Sequence, residues 1–150
     1  MTERRGAEDT GWREPTFPAV LQRFVEMFNR GDFWESHEVL EDAWRRLDSD
    51  FYQGLILYAS AFVHALRGNR HGILAQLDKA EGRLRPYLPH HLGVDVAGVL
   101  RHAERCRDVV RANPDAPSDA WPGLIPFPRL TLDTELFAGD EPELVAEGDG

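Results

Sequence analysis

The apolar positions of this chain fall into five helix-period blocks, separated by glycine, asparagine, aspartate and proline. From Thr16 to Arg30, Phe17, Val20, Leu21, Phe24, Val25 and Phe28 recur at spacings of three and four, which puts them on one side of a helix, and Gly31 follows where the helix has to stop. A second helix is predicted from Asp32 to about residue 47. Asp32 stands three residues before Glu35 in a capping-box-like start, and Phe33, Leu40, Trp44 and Leu47 make an apolar stripe. Ser49 or Asp50 can cap a third helix that runs to Arg67 and meets its stop at Gly68. This third block is apolar round most of its circumference, so it needs neighbours on several sides and belongs in the middle of the fold. Asn69 can cap a fourth helix with Ile73, Leu77, Ala80 and Leu84 inward, ending near Pro86. Asp95 can cap a fifth, with Val96, Val99, Ala103, Cys106 and Val110 inward and Pro114 closing it.

Short connections favour antiparallel neighbours, so the pattern predicts an all-α fold of about five antiparallel helices in a compact bundle or stacked hairpins. Residues 1–15 are polar, end in Pro15 and read as a mobile leader. A single helical domain is expected over residues 16–132, including an extended C-terminal strap at Ala120 to Leu132 (AWPGLIPFPRLTL). Its prolines forbid continuous helix, while Trp121, Leu124, Ile125, Phe127 and Leu130 give it an apolar side to lay on the bundle. The alternative role for that strap is an exposed ligand for a partner protein. Residues 133–150 read as an acidic disordered tail.

Composition narrows the function classes. A chain of 150 residues, 42% apolar and 29% charged, is long enough for one ordinary core and too short for two. The formal net charge of −9 is uneven: residues 1–15 hold four acids and three arginines, and everything after Arg129 holds seven acids and no base. The body is therefore close to neutral and carries no basic stripe, so no nucleic-acid partner is expected. No uncharged apolar run reaches membrane-spanning length, and the beginning of the chain lacks the apolar stretch of a signal peptide, so a cytoplasmic location is expected. Cys106 is the one cysteine and reads as a small buried hydrophobe.

The residues able to carry chemistry lie on helices two and three. His37 and Glu41 are one turn apart and flank the apolar stripe, which is metal-ligand spacing. Glu38 follows His37, but the zinc-protease pattern would need a second histidine where Glu41 stands. Helix three keeps one narrow polar stripe: Gln53, Ser60, His64 and Arg67. If that stripe faces helix two, His37, Glu41 and His64 converge as two imidazoles and a carboxylate, a set suited to zinc or divalent iron or manganese, with Gln53 and Arg67 behind it. The competing reading makes the histidines hydrogen-bonded structural residues and the stripe a solvated side. Trp34, Trp44, Tyr52 and Tyr58 read as core aromatics with a polar tip. His90 and His91 are expected to be exposed, and His71 and His102, expected on outer or lateral faces of their helices, receive no role. Phosphate loops, nucleophile elbows and paired Cys-x-x-Cys motifs are absent.

The stretches FNRGDFWESHEVLEDAW (Phe28 to Trp44), QGLILYASAFVHALRGN (Gln53 to Asn69) and LGVDVAGVL together resemble a bacterial family known as domain of unknown function 309. The resemblance covers about residues 17–112, with IPFPRLTL similar to the family's proline-containing end. It implies a compact α-helical fold and marks His37, Glu38, Glu41, Trp44, Gln53, Gly54, His64 and Asn69 as motif positions. Ser36 and Leu57 depart from the pattern, where alanine and glutamine are common. The resemblance implies no activity. Two functions stay open: a helical protein whose polar or metal-binding cluster lies between helices two and three, with metal-assisted hydrolysis as its reaction class, or a non-enzymatic interaction module that offers an apolar groove to a partner protein or a second copy.

Overall fold

The computed structural model describes residues 16–137 and 141–143. Within them the fold is all-α, as the periodicity predicts. α1 spans Ala19–Asn29, α2 Phe33–Leu47, α3 Asp50–Leu66, α4 Arg70–Leu84, α5 Val96–Ala112 and the one-turn α6 Trp121–Leu124. No helix of the described residues is long and apolar enough to cross a membrane.

The punctuation read from the sequence sets most boundaries. Ser49, Asn69 and Asp95 each accept a hydrogen bond from the backbone N–H three residues on, those of Tyr52, Gly72 and Gly98, and so satisfy one of the open donors at a helix start. Gly31 and Gly68 follow α1 and α3 with φ of +87° and +72°, a region costly for any residue with a Cβ. Two starts differ from expectation. α1 begins at Ala19 because Pro18 takes the cap position, its carbonyl accepting from Gln22 N–H at 3.1 Å. Asp32 occupies the cap of α2, but its side chain makes no capping hydrogen bond.

α3 is the central helix. Eleven of its 17 residues are buried, among them Phe51, Tyr52, Leu55, Tyr58 and Phe62, and it packs on α2 along one side and most extensively on α4 along another. That second contact depends on two glycines. A Cβ at Gly54 would lie 2.6 Å from Leu84 Cγ and 3.2 Å from Arg83 Cβ, and a Cβ at Gly72 would lie 2.4 Å from His64 Nδ1. The start of α3 thus meets the end of α4 and the end of α3 meets the start of α4, an antiparallel pair closed tightly at both ends.

The predicted inner residues of α5 (Val96, Val99, Ala103, Cys106 and Val110) are all buried, and so is Arg107, which the sequence pattern did not mark. Its guanidinium is held by Asp78 and Glu81 of α4 and by Glu104 of its own helix, so a cation secures the α4–α5 contact. The segment after α5 starts differently from the extended strap expected. A 3-10 turn at Ser118–Ala120 leads into α6, where Pro122 is tolerated because first-turn N–H groups need no intrahelical partner. From Ile125 the chain runs without regular structure across the bundle. Trp121, Ile125 and Leu130 are buried beneath it, and Asn29 at the end of α1 exchanges two 2.8 Å hydrogen bonds with the Leu130 backbone.

The expected leader, residues 1–15, lies outside the described residues, as do residues 138–140 and 144–150 of the acidic stretch. The described part of that stretch is packed and not free. Phe137 stacks on Phe17 at 4.7 Å, Glu141 accepts from Leu92 N–H, and Glu143 is buried between Ser49 and His91. His91, expected to be exposed, is largely buried in that contact and packs edge-on against Phe51, while His90 bonds to the Leu136 carbonyl at 2.8 Å. Burial pushes the Glu143 carboxyl up, but the hydrogen bonds from His91 and Ser49 more than offset this and hold it below the usual carboxylate range.

The α3–α4 geometry gives a direct test. Gly54→Ala gains up to about 1 kcal/mol of helix propensity but overpacks a buried leucine, which costs about 1–3 kcal/mol. The expected result is a lower midpoint in urea-induced unfolding, whereas Gly82→Ala, where a Cβ meets nothing within 4 Å, should raise it.

Candidate functional site

Two of the motif positions, His37 and Glu41, lie in a connected run of side chains that leads from α2 to the end of α3. Arg45 reaches back one turn to Glu41 (Nη2 to Oε1, 2.6 Å), and Glu41 Oε2 stands 3.6 Å from His37 Nε2. The His37 ring stacks on Trp34, with centroids 5.2 Å apart and planes 13° from parallel. The Arg67 guanidinium, from the end of α3, lies 5.8 Å from the centre of the same indole. A run of i, i+3 and i, i+4 contacts along α2 therefore ends in a cation–π contact that crosses to α3. His37 Nδ1 is buried without a hydrogen-bond partner.

The structure does not bring the three expected ligands together. His37 and Glu41 approach one another, but His64 turns its Nδ1 to Asn69 Nδ2 at 3.1 Å and to the surface of Gly72, in the turn between α3 and α4. Among the described residues no group of three or more His, Cys, Asp or Glu side chains is arranged to hold a metal ion. The physical reason is the register of the α3–α4 pair: the bare Cα of Gly72 leaves a slot which the His64 ring occupies. Partial burial and the nearby Arg67 charge hold the His64 pKa below its ordinary value. Gln53 and Ser60 are half-buried, Arg67 and Asn69 are exposed, and Glu38 is exposed on the outer side of α2. Ser36, atypical for the motif, is fully buried and satisfies its hydroxyl on the Phe33 carbonyl at 2.8 Å, so it replaces alanine without an open polar group.

Trp34 corrects a second expectation. Tyr52 and Tyr58 are in the core and Trp44 is half-buried, but Trp34 is 47% exposed. Leu66 is 50% exposed and Phe127 38%, and these last two line one hollow of about 250 Å3 together with Phe28, Phe33 and Pro128. Phe127 stacks on Phe33, the residue before Trp34, and Leu66 precedes the arginine that covers it. Arg30 is the charged residue among those lining the hollow. Of the two strap aromatics, Trp121 is 1% exposed and belongs to the core, while Phe127 faces the hollow.

His102, expected on an outer or lateral face and given no role, is instead buried on the inner side of α5 and is the most completely bonded histidine. Tyr58 Oη lies 2.8 Å from its Nδ1 and the Pro126 carbonyl 2.5 Å from its Nε2. A carbonyl can only accept, so Nε2 carries the proton and Nδ1 accepts from the tyrosine hydroxyl. Burial drives the His102 pKa down against the opposing effect of the Pro126 carbonyl, and burial pushes the Tyr58 pKa up. Cys106, one turn further along α5, is pushed up to about 12 by burial, and the charges of Arg105 and Arg107 only partly offset this. The thiol stays protonated and unreactive, which agrees with its reading as a small hydrophobe. The signal that could have marked His102 was its position one turn from Cys106 on the inner face of α5.

The class these features define is a small all-helical domain with an aromatic, polar-edged motif surface on its second and third helices. Residues 21–75 match the model of the family described as Domain of unknown function (DUF309), so over that stretch the family resemblance is shown. The match runs from α1 into α4 and contains both long motif segments; the α5 segment and the strap lie beyond it. No curated protein and no solved structure matches the chain.

The His102 network sets a pH dependence. The folded state holds the imidazole neutral below 6.5, where the unfolded chain binds a proton, so stability falls as pH falls through 6.5 and the loss is complete once the folded-state pKa is passed. Thermal melts taken from about pH 7.5 to about pH 5.5 should show this decline, and His102→Gln should reduce it, leaving the smaller share that His64, whose pKa is also lowered, contributes with the same sign. Cys106 should resist a thiol reagent such as Ellman's under native conditions and react in denaturant.

Proposed function

We propose that this protein is a non-enzymatic interaction module whose docking face is the hollow between Leu66 and Phe127, with Trp34, Arg67 and His37 along its border. The observation that carries this reading is that, of the four large hydrophobic side chains exposed among the described residues, three, Trp34, Leu66 and Phe127, fall in one region, the fourth being Leu88. Large apolar groups gathered at the surface cost solubility and are retained where a partner covers them. Aromatic residues and arginine are also the side chains that dominate binding energy at protein interfaces.

The occupant that fits is a partner-protein segment, helical or extended, that inserts one leucine or aromatic side chain and carries a carboxylate beside it. The walls of the hollow, Phe28, Phe33, Leu66 and Phe127, are apolar and its volume suits one such side chain. Arg30 at its edge and Arg67 over Trp34 supply the charge that a flanking Asp or Glu would meet. The polar pair His37–Glu41 then serves as a border: stacking on His37 supports the Trp34 ring, and Glu41, paired with Arg45, carries the polar edge further along α2.

The test is selection of peptides from a random display library on the whole protein, followed by affinity measurements on the winners. Sequences with an apolar anchor next to Asp or Glu are expected. Trp34→Ala and Leu66→Glu should each weaken binding by about thirtyfold or more, the cost of losing an interface anchor of about 2 kcal/mol. Both residues are about half exposed, so melting should change little. Selected peptides that bind the Leu66→Glu protein as well as the parent would sink the reading.

A further inference from the structure

A second cavity lies on the other side of the strap, between α5 and residues 126–131, with a volume of about 380 Å3. It falls within the ~300–1,000 Å3 range of small-molecule sites, near its lower end. Tyr58 and His102 line it, Val99, Phe127 and Leu130 give it apolar surface, and its charged residues are Arg105, Arg129 and Asp95.

The balance of charge is positive. Asp95 is already committed: one carboxylate oxygen accepts from Gly98 N–H at 3.0 Å as the cap of α5, and the other faces Arg101 at 3.9 Å. Among the described residues neither Arg105 nor Arg129 forms an ion pair with a carboxylate, whereas the neighbouring arginines 101, 107 and 111 of α5 all do. The charge of Arg105 acts on Tyr58, His102 and Cys106, the groups behind the cavity. The tyrosine hydroxyl and the imidazole satisfy one another and the Pro126 carbonyl, so neither is free to exchange a proton with a ligand. The cavity has two arginines without a carboxylate partner, walls that are part apolar and part polar, and the Thr131 hydroxyl with no general base beside it that is free to activate it, which suits binding without chemistry.

We propose that this cavity binds a small organic carboxylate with an apolar body, such as an aromatic acid, its carboxylate held by Arg105 and Arg129 and its body against Val99, Phe127 and Leu130. The planar guanidinium fork pairs with carboxylate and phosphate alike through two parallel hydrogen bonds, and the apolar surface of Val99, Phe127 and Leu130 is what favours an organic acid over a small inorganic anion. The site is distinct from the docking hollow and shares only strap residues Phe127 and Pro128 with it.

The experiment uses the full chain and benzoate as probe, followed by amide chemical shifts. Saturable shifts are expected at Gly98, Val99 and Leu130. Arg105→Gln and Arg129→Gln should each weaken binding by about tenfold or more, the loss of one charge-assisted hydrogen bond. Arg46→Gln, a loss of the same charge on α2, should leave binding unchanged. Benzyl alcohol, equal in shape but neutral, should bind far more weakly, and inorganic phosphate should not compete. Absence of saturable shifts with benzoate, equal weakening by Arg46→Gln, or equal binding of phosphate or benzyl alcohol would each overturn the proposal.

Discussion

The close antiparallel approach of α3 and α4 sets the rest of the molecule. Gly54 admits the Leu84 side chain and Gly72 admits the His64 ring, one at each end of the pair, so neither helix can slide or rotate against the other without a clash. Dispersion and apolar burial reward such proximity, since a gap as small as a methyl group forfeits the contacts on both sides. With α4 seated there, α3 can bury more than half of its residues, α2 packs along the side left open, and Asp78 and Glu81 of α4 are placed to receive Arg107 from α5. The same register turns His64 away from His37. A constraint on backbone packing thus decides a question of site chemistry.

The strap connects two surfaces of different character. On one side Phe127 joins Leu66 over an apolar hollow, and on the other Phe127 and Leu130 wall a cavity whose free charges are arginines. Trp121 and Ile125 anchor the start of the strap in the core, and Asn29 holds the Leu130 backbone with a reciprocal pair of hydrogen bonds. Phe127 therefore sits between two fixed points, and its partial exposure is imposed by the path of the chain. The Tyr58–His102–Pro126 chain of hydrogen bonds fixes the same segment from below and spares the buried imidazole an open polar atom.

Helix positions, the central place of α3, three of the caps and the glycine stops were legible in the sequence because each rests on local physics: a 3.6-residue period, a side-chain oxygen at the right offset, a residue able to take positive φ. The inner face of α5 and the inert character of Cys106 were legible for the same reason. What the pattern could not decide was which sides of two amphipathic helices meet. Half-polar helices can be packed in several rotations with the same set of apolar residues buried, and only the tertiary structure selects one. That selection left Trp34 at the surface, sent His64 into the slot at Gly72, buried His102 and Arg107 among partners distant in sequence, and packed His91 against Glu143 where the sequence suggested an exposed loop and a free acidic end. The sequence by itself determined the helices and the motif carried on two of them. The surfaces those helices present were decided by contacts between residues tens of positions apart, whose energies no local window contains.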